Sequence, residues 1–270
     1  MMGGKEAPLY EAGLKKRAVS SLLRTLATAA LALFSLSATA GENPCAEVQE
    51  GGAAYTVCGF DARKSDIRLF LRNETGETYG DFSRLASALA SKGETLLFAM
   101  NAGMYAEDRT PVGLYVENGR LLNPANTHAG PGNFHMKPNG VFWIDGPRAG
   151  VTETARFLKG RQRAQFATQS GPMLVIGGRV HPRIHEDGMS EKFRNGVCVQ
   201  DGHIVRFAIS NHPVTFHQFA GLFRDRLHCR DALFLDGGSA SALYAPSLSR
   251  HDRFMPTMGP IVGVVEKSKR

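Results

Sequence analysis

The sequence feature that most constrains the fold is an apolar run that ends on a carboxylate and two glycines. Residues 232–235 are apolar, and Asp236, Gly237 and Gly238 follow directly. A short apolar run bounded by turn residues is typical of a buried strand, and adjacent glycines let backbone approach a ligand that a Cβ atom would exclude. The run therefore predicts a core strand that delivers Asp236 to the rim of the fold. A simple β-turn after a core strand is the alternative interpretation.

The other patterns predict an α+β fold, a single domain of mixed or antiparallel β-sheet with hairpins and a few packed helices. Strands are predicted over 53–60, 66–72, 95–100, 141–144, 195–200 and 203–210, with hairpin turns at 117–119, 177–178 and 201–202. Asp81 and Gly93 have the residue types that begin and end a helix. Thr215 and Gln218 form a capping box that opens a second helix.

The N-terminal residues predict export. A basic run at 15–17 precedes an apolar stretch too short to span a bilayer, and small residues at 38–40 resemble a cleavage site. We therefore expect residues 1–40 to be a signal peptide cleaved after Ala40, and residues 41–270 to form the mature domain. The predicted location is periplasmic or secreted, without stable membrane insertion after cleavage. An uncleaved N-terminal anchor is the alternative.

The charge of the chain argues against a nucleic-acid partner. The formal net charge is +7, but residues 1–40 carry five Lys or Arg and two Glu, so only +4 remains without them. The rest of the chain has no basic run interleaved with aromatic residues, which a nucleic-acid interface would favour. Mild attraction to anionic substrates is expected. The sequence does not indicate the oligomeric state.

Four cysteines remain in the mature domain. Cys45 and Cys58 are a local candidate for a disulfide in an oxidising compartment. Cys198 and Cys229 allow two interpretations, a second disulfide or free buried thiols. No Cys or His spacing typical of zinc and no dense carboxylate loop occurs, so we predict neither a metal nor a cofactor.

Three further clusters of polar residues and glycines lie at the ends of apolar runs, at 101–105, 169–172 and 194–196. Together they offer amides, hydroxyls and a guanidinium. Such groups hydrogen-bond sugar hydroxyls, and arginine binds phosphate in a bidentate manner. Each cluster alone is more often a turn than a site, so the hypothesis depends on their coming together.

At these clusters the chain resembles the phosphodiester glycosidase family. The motifs that carry the resemblance occur in the family's order at 101–105, 111–114, 132–134, 138–142, 169–174, 194–197 and 235–239, and the similarity extends over 53–265. The resemblance implies an exported hydrolase that cleaves a sugar 1-phosphodiester at the anomeric carbon. The products would be a sugar and a phosphomonoester, from a small-molecule or polymeric glycosyl-phosphate.

The resemblance also suggests roles for individual residues. Asp236 is the expected base or nucleophile at the anomeric carbon, and Arg194 and Lys137 are expected to bind the phosphate and stabilise charge in the transition state. The remaining candidates are expected to contact the substrate: Asn101, Gly103, His135, Asn139, Gln169, Ser170, Gly171, Asn195, Gly237, Gly238, Ser239 and Ser241.

Two points stay open at the level of sequence. A second acid or base is not fixed by spacing, and the candidates are His128, His135, His217, Glu186 and Asp187. The alternative functions are a carbohydrate-binding envelope protein without turnover and a phosphodiesterase that attacks phosphorus. The last chemistry usually recruits metal ions, and no obvious two-metal ligand set occurs in the sequence.

Overall fold

The strands that the structure describes form three antiparallel β-sheets. The computed structural model describes residues 43–161, 163–252 and 257–267, so the predicted signal peptide lies outside the described residues. The strands are β1 (Cys45–Glu50), β2 (Ala53–Asp61), β3 (Asp66–Phe70), β4 (Glu94–Asn101), β5 (Tyr115–Glu117), β6 (Arg120–Asn123), β7 (Gly140–Asp145), β8 (Arg148–Glu153), β9 (Phe166–Ser170), β10 (Met173–Ile176), β11 (Arg179–Val180), β12 (Arg194–Gln200), β13 (Ile204–Ser210), β14 (Ala232–Gly237), β15 (Leu243–Ala245), β16 (Arg250–His251) and β17 (Ile261–Lys267).

The strand order places the predicted Asp236 strand inside the largest sheet. That sheet runs β1-β2-β13-β12-β14-β10-β11, and the two five-stranded sheets run β16-β15-β4-β17-β3 and β6-β5-β9-β7-β8. Neighbouring strands pair antiparallel throughout the described sheets. The α+β prediction is therefore confirmed, as are the three hairpin turns.

Short helices cover parts of the sheets. They are α1 (Phe82–Ala90), α2 (Thr154–Lys159) and α3 (Phe216–Gly221), and a π-helical turn continues α3 over Leu222–Arg226. The Asp81 side chain accepts from the Arg84 N–H at the start of α1, as predicted. The capping box of Thr215 and Gln218 is also confirmed, with both reciprocal bonds present at the start of α3.

One aromatic cluster joins the three sheets. Phe207 of β13 stacks on Phe98 of β4, with ring centroids 4.9 Å apart, and meets Phe142 of β7 edge-on at 5.7 Å. All three rings are almost fully buried, and offset or edge-to-face rings are the favoured packings of aromatic pairs. Because strands from each sheet converge on this cluster, polar residues at their ends can meet on one side of it.

Both disulfides form in the structure. Cys45 and Cys58 join paired positions of β1 and β2, and Cys198 on β12 is bonded to Cys229, which excludes the alternative of free thiols for that pair. Disulfides persist in oxidising compartments, so the two bonds indicate a protein outside the cytoplasm. Among the described residues no helix combines the length and the apolar character needed to cross a bilayer.

Candidate active site

Strand β14 carries Asp236 from the core to a partly exposed position. Residues 232–235 are buried, whereas Asp236 and the two following glycines are half-buried. A Cβ atom on Gly237 would lie 2.8 Å from the Phe234 ring and 2.9 Å from the Phe193 carbonyl oxygen. Gly238 has a φ of 63°, which favours glycine. Gly237 is therefore required by the close approach of protein atoms and Gly238 by its backbone conformation, whereas the approach of a ligand to them stays a prediction.

The environment of Asp236 makes its charged form costly. Burial raises the pKa of this carboxyl from 3.8 to about 6, and the hydrogen bond from the Gly237 N–H, 2.7 Å from Oδ1, opposes that shift. No described Lys, Arg or His side chain forms an ion pair with Asp236. A carboxylate that is poorly solvated and titrates near neutrality is suited to act as a base or a nucleophile.

Two buried asparagines connect the backbone of Asp236 to strand β4. The Asp236 N–H donates to Asn195 Oδ1 at 3.1 Å, and Asn195 Nδ2 donates to Asn101 Oδ1. Asn101 Oδ1 also accepts from the Ala242 N–H at 3.1 Å. The structure thus brings Asn101 and Asn195, both predicted site residues, next to Asp236, and this chain of bonds fixes the end of β14.

Asn101 retains an unpaired donor in this network. Its Nδ2 is buried and has no hydrogen-bond partner among the described atoms. A buried donor without a partner costs free energy unless a ligand or a water satisfies it. The Asn101 amide is accordingly a candidate to donate to a sugar hydroxyl beside Asp236.

The end of β9 is tied to the same place. The Ser170 Oγ donates to the Leu235 carbonyl oxygen, one residue before Asp236. Gly171 follows, and a Cβ atom there would lie 2.7 Å from the Asn139 Cβ. Ser241 Oγ lies 3.5 Å from the Asp236 carbonyl oxygen, and Ser239, two residues before Ser241, is exposed. The ends of β4, β9, β12 and β14 therefore converge at Asp236.

A second polar cluster holds the 123–140 loop. Gln169 Oε1 accepts from the N–H groups of Leu114 and Asn126, both at 2.9 Å, and its Nε2 donates to the Asn126 carbonyl oxygen at 2.8 Å. Asn139 is similarly committed, because it donates to the Phe134 carbonyl oxygen and accepts from Thr154 Oγ1. These amides already bond to protein, so their predicted contact with substrate stays a prediction.

His135 and Lys137 lie in that loop and bond within it. One His135 ring nitrogen is 3.1 Å from the His128 carbonyl oxygen, and the Lys137 ammonium donates to the Thr127 carbonyl oxygen. Neither side chain hydrogen-bonds Asp236. The phosphate-binding role of Lys137 stays a prediction.

Arg194 is buried on the α3 side of the sheet. Its Nε donates to the Val214 carbonyl oxygen at 2.8 Å, one terminal nitrogen donates to the Ser190 carbonyl oxygen at 2.7 Å, and the guanidinium lies 3.6 Å from the Phe216 ring centroid. Burial lowers its pKa to about 10. Neighbouring residues of a strand point to opposite faces, so Arg194 diverges from Asn195, which bonds toward Asn101. Its role as a phosphate ligand stays a prediction.

Tyr105 is a candidate residue that the sequence reasoning did not single out. Burial and, to a smaller extent, the negative charge of Asp236 raise the pKa of its phenol. A Cβ atom on Gly259 would lie 2.5 Å from the ring, and the Arg109 guanidinium carbon is 5.5 Å from the ring centroid. Tyr105 belongs to the 101–105 motif, so only its place in that motif could have indicated it.

Gly103 of the same motif has little room. A Cβ atom there would lie 2.6 Å from Thr168 Oγ1.

The five proposed second acids or bases do not hydrogen-bond the Asp236 carboxylate; they are His128, His135, His217, Glu186 and Asp187. Among the described residues no group of three or more His, Cys, Asp or Glu side chains is arranged to hold a metal ion.

The chain is similar to one protein family and to several known proteins. The phosphodiester glycosidase family model matches residues 94–261. The uncharacterized Escherichia coli protein YigE is 36% identical over 214 residues, which are 78% of this chain and 81% of that protein.

Two solved structures share the fold. The catalytic domain of zebrafish N-acetylglucosamine-1-phosphodiester alpha-N-acetylglucosaminidase superposes with a TM-score of 0.56 at 13% identity, covering 82% of this chain and 81% of that one. A hypothetical protein from Synechocystis has a TM-score of 0.52 at 14% identity, covering 82% of this chain and 61% of that one. The family match and the identity to the E. coli protein show that this chain belongs to the phosphodiester glycosidase family.

Proposed function

We propose that this protein is an exported hydrolase that cleaves a sugar 1-phosphodiester at the anomeric carbon. The observation that carries the proposal is the Asp236 carboxyl, held where four strand ends converge and with its pKa raised to about 6. Family membership supports the reaction type, and the name of the zebrafish enzyme describes hydrolysis of an N-acetylglucosamine 1-phosphodiester.

The chemistry needs less protein assistance than ordinary glycoside hydrolysis. Most glycosidases use one carboxyl to protonate the leaving oxygen and a second as nucleophile or base. A departing phosphate monoester is already a stable anion, so protonation contributes less. One carboxylate at the anomeric centre, with donors that hold the sugar and cations that hold the phosphate, is then sufficient.

Asp236 has two possible ways to act at the anomeric carbon. As a nucleophile it would form a glycosyl-enzyme that water then hydrolyses, and as a base it would take a proton from the attacking water. The first route retains the anomeric configuration and the second inverts it. The configuration of the sugar first released, read by proton NMR, distinguishes them.

The neighbours of Asp236 have matching roles in this proposal. Asn101 Nδ2, which has no described protein partner, donates to a sugar hydroxyl. Asn195 holds the Asp236 backbone in place. Tyr105, whose phenol pKa is raised partly by the Asp236 charge, keeps its proton at neutral pH and donates to the substrate.

The location of the proposed activity follows from the disulfides and the N-terminal pattern. A signal peptide over residues 1–40 would deliver the domain to the periplasm or the medium, where glycosyl-phosphate polymers and small glycosyl phosphates occur as substrates. The substrate within that class is left to the assay.

The experiment is a turnover assay on the mature chain from Gly41 onward. A panel of sugar 1-phosphodiesters is incubated with the wild type, with Asp236→Asn and with Asp201→Asn, a variant in the exposed β12–β13 turn that removes the same charge. We expect sugar release by the wild type and Asp201→Asn and a loss of at least about a thousandfold in Asp236→Asn. A chelator arm tests for metal dependence.

The outcomes separate the alternatives. Sugar binding without turnover of any donor would indicate a carbohydrate-binding protein. Equal turnover by the wild type and Asp236→Asn would refute the assignment of the reaction to this carboxyl.

A further inference from the structure

A small cavity on the α3 side of the large sheet is not used by the mechanism above. It has a volume of about 130 Å³ and is lined by Met136, Arg183, Ile184, His185, Gly188, Ser190 and Phe216. A water occupies about 30 Å³ in the liquid, so the cavity has room for roughly four waters or a small organic group. Its wall is mostly apolar, and two basic side chains stand at its rim.

Beneath this cavity lies a buried cation without an acidic partner. No described carboxylate forms an ion pair with Arg194, whose guanidinium is held by two backbone carbonyl oxygens and the face of Phe216. Ser190, which supplies one of those carbonyls, and Phe216 both line the cavity. An uncompensated buried charge is costly, and a nearby anion would offset it.

The rim adds the positive charge of Arg183 and the imidazole of His185. Arg183 and His185 are exposed, whereas Glu186 and Asp187 continue along the same loop and do not line the cavity. Ile184 is buried between the two basic residues. The cavity therefore combines an electropositive mouth with an apolar wall, which suits a phosphate group attached to a carbon chain.

Two interactions connect the cavity side of the sheet with the end of β14. Phe216 meets Phe234 edge-on with ring centroids 4.9 Å apart, and Phe234 lies two residues before Asp236. Arg194 is paired with Gly237 across β12 and β14. A substrate whose sugar reaches Asp236 could thus extend its phosphate-bearing group toward this cavity.

We propose that this cavity binds the organic phosphate portion of the ligand, with Arg183 and His185 at the phosphate and Met136, Ile184 and Phe216 around the adjacent carbons. The assignment of the cavity to the leaving group rests on the proposed function, whereas alkyl phosphate binding does not. Met189, between two lining residues, is 91% exposed and offers apolar surface to a longer chain.

The test measures binding of butyl phosphate and of inorganic phosphate to the mature chain by isothermal titration calorimetry. Burial of the butyl carbons predicts that butyl phosphate binds at least about tenfold more tightly than inorganic phosphate does. Arg183→Gln is compared with Arg179→Gln, which removes the same charge from an exposed position outside the cavity. We expect Arg183→Gln to weaken butyl phosphate binding by roughly five- to tenfold and Arg179→Gln by less than about twofold.

The outcomes are decisive in both directions. The absence of saturable binding, equal affinity for the two phosphates, or equal effects of Arg183→Gln and Arg179→Gln would each overturn the inference. Binding as predicted without hydrolysis of any sugar 1-phosphodiester would refute the proposed function and leave this inference standing, whereas hydrolysis without alkyl phosphate binding would refute the inference alone.

Discussion

Replacing Asp236 by Asn should stabilise the folded protein at neutral pH while abolishing turnover. Burial raises the pKa of the Asp236 carboxyl from 3.8 to about 6, so the folded state binds its proton more tightly than the unfolded state does. The free energy of unfolding then falls as pH rises from about 4 to about 6, and the full cost of the buried charge is present above that range.

The magnitude follows from the size of the shift. Each pKa unit corresponds to about 1.4 kcal/mol, so a shift of about two units makes the charged carboxylate cost up to about 3 kcal/mol at pH 7.5. Asparagine has the same shape and keeps an oxygen that can accept from the Gly237 N–H, but it carries no charge. We expect Asp236→Asn to raise the free energy of unfolding by about 1–3 kcal/mol at pH 7.5, and Tm by roughly 3–10 °C.

The assay is urea and thermal unfolding of both proteins at intervals between pH 4 and pH 8. The difference between variant and wild type should be near zero at pH 4, grow as pH rises to about 6 and stay nearly constant above about pH 7. Asp187→Asn, at an exposed position, should show little difference at any pH. A variant that is equally stable or less stable than the wild type at pH 7.5 would refute the reasoning that burial dominates the Asp236 environment.

Three further perturbations test the architecture of the site. Asn101→Ala removes the acceptor of two buried hydrogen bonds, so urea unfolding should show a loss of about 2–4 kcal/mol. Gly103→Ala places a Cβ atom 2.6 Å from a threonine hydroxyl and should lower the free energy of unfolding by about 1–3 kcal/mol. Gly59→Ala should lower it less, because its nearest contact is the end of an arginine side chain at 3.3 Å. Equal losses in the two variants would contradict the steric argument. Replacing Cys198 and Cys229 together by Ser removes a disulfide between residues 31 positions apart. This change should lower the free energy of unfolding by about 4 kcal/mol relative to the wild type under oxidising conditions.

Local sequence signals predicted the elements that depend on local chemistry. The apolar run before Asp236 became the buried strand β14, and the Asp201-Gly202 turn joins β12 to β13. The Thr215 capping box also formed, because its hydrogen bonds involve residues only three apart. In each case the residues that carry the signal also make the interaction.

Strands whose side chains bond into distant polar clusters were not predicted. Thr168, Gln169 and Ser170 end β9, yet three consecutive polar residues give no alternating pattern. All three are buried because Gln169 bonds to the 123–140 loop and Ser170 to β14. The partners lie about 40 or more residues away in the chain, and nothing in the local pattern identifies them.

The site itself was only partly predictable. Asp236, Asn101 and Asn195 were expected to lie together, and hydrogen bonds do connect them. Each lies at or near the end of a strand, and these strand ends converge. The burial of Tyr105 depends on the packing of its ring against Gly259, and the orientation of Arg194 depends on the alternation of β12. Both are set by tertiary packing.

Hydrolysis in water enriched in ¹⁸O tests the central claim most directly. A sugar 1-phosphodiester that the mature wild type turns over is hydrolysed to completion, and both products are analysed by mass spectrometry, with Asp236→Asn run in parallel. The proposed mechanism predicts the heavy oxygen in the released sugar, because the bond broken lies between the anomeric carbon and oxygen, and no release by the variant. Heavy oxygen in the phosphate would contradict it and show that the protein attacks phosphorus.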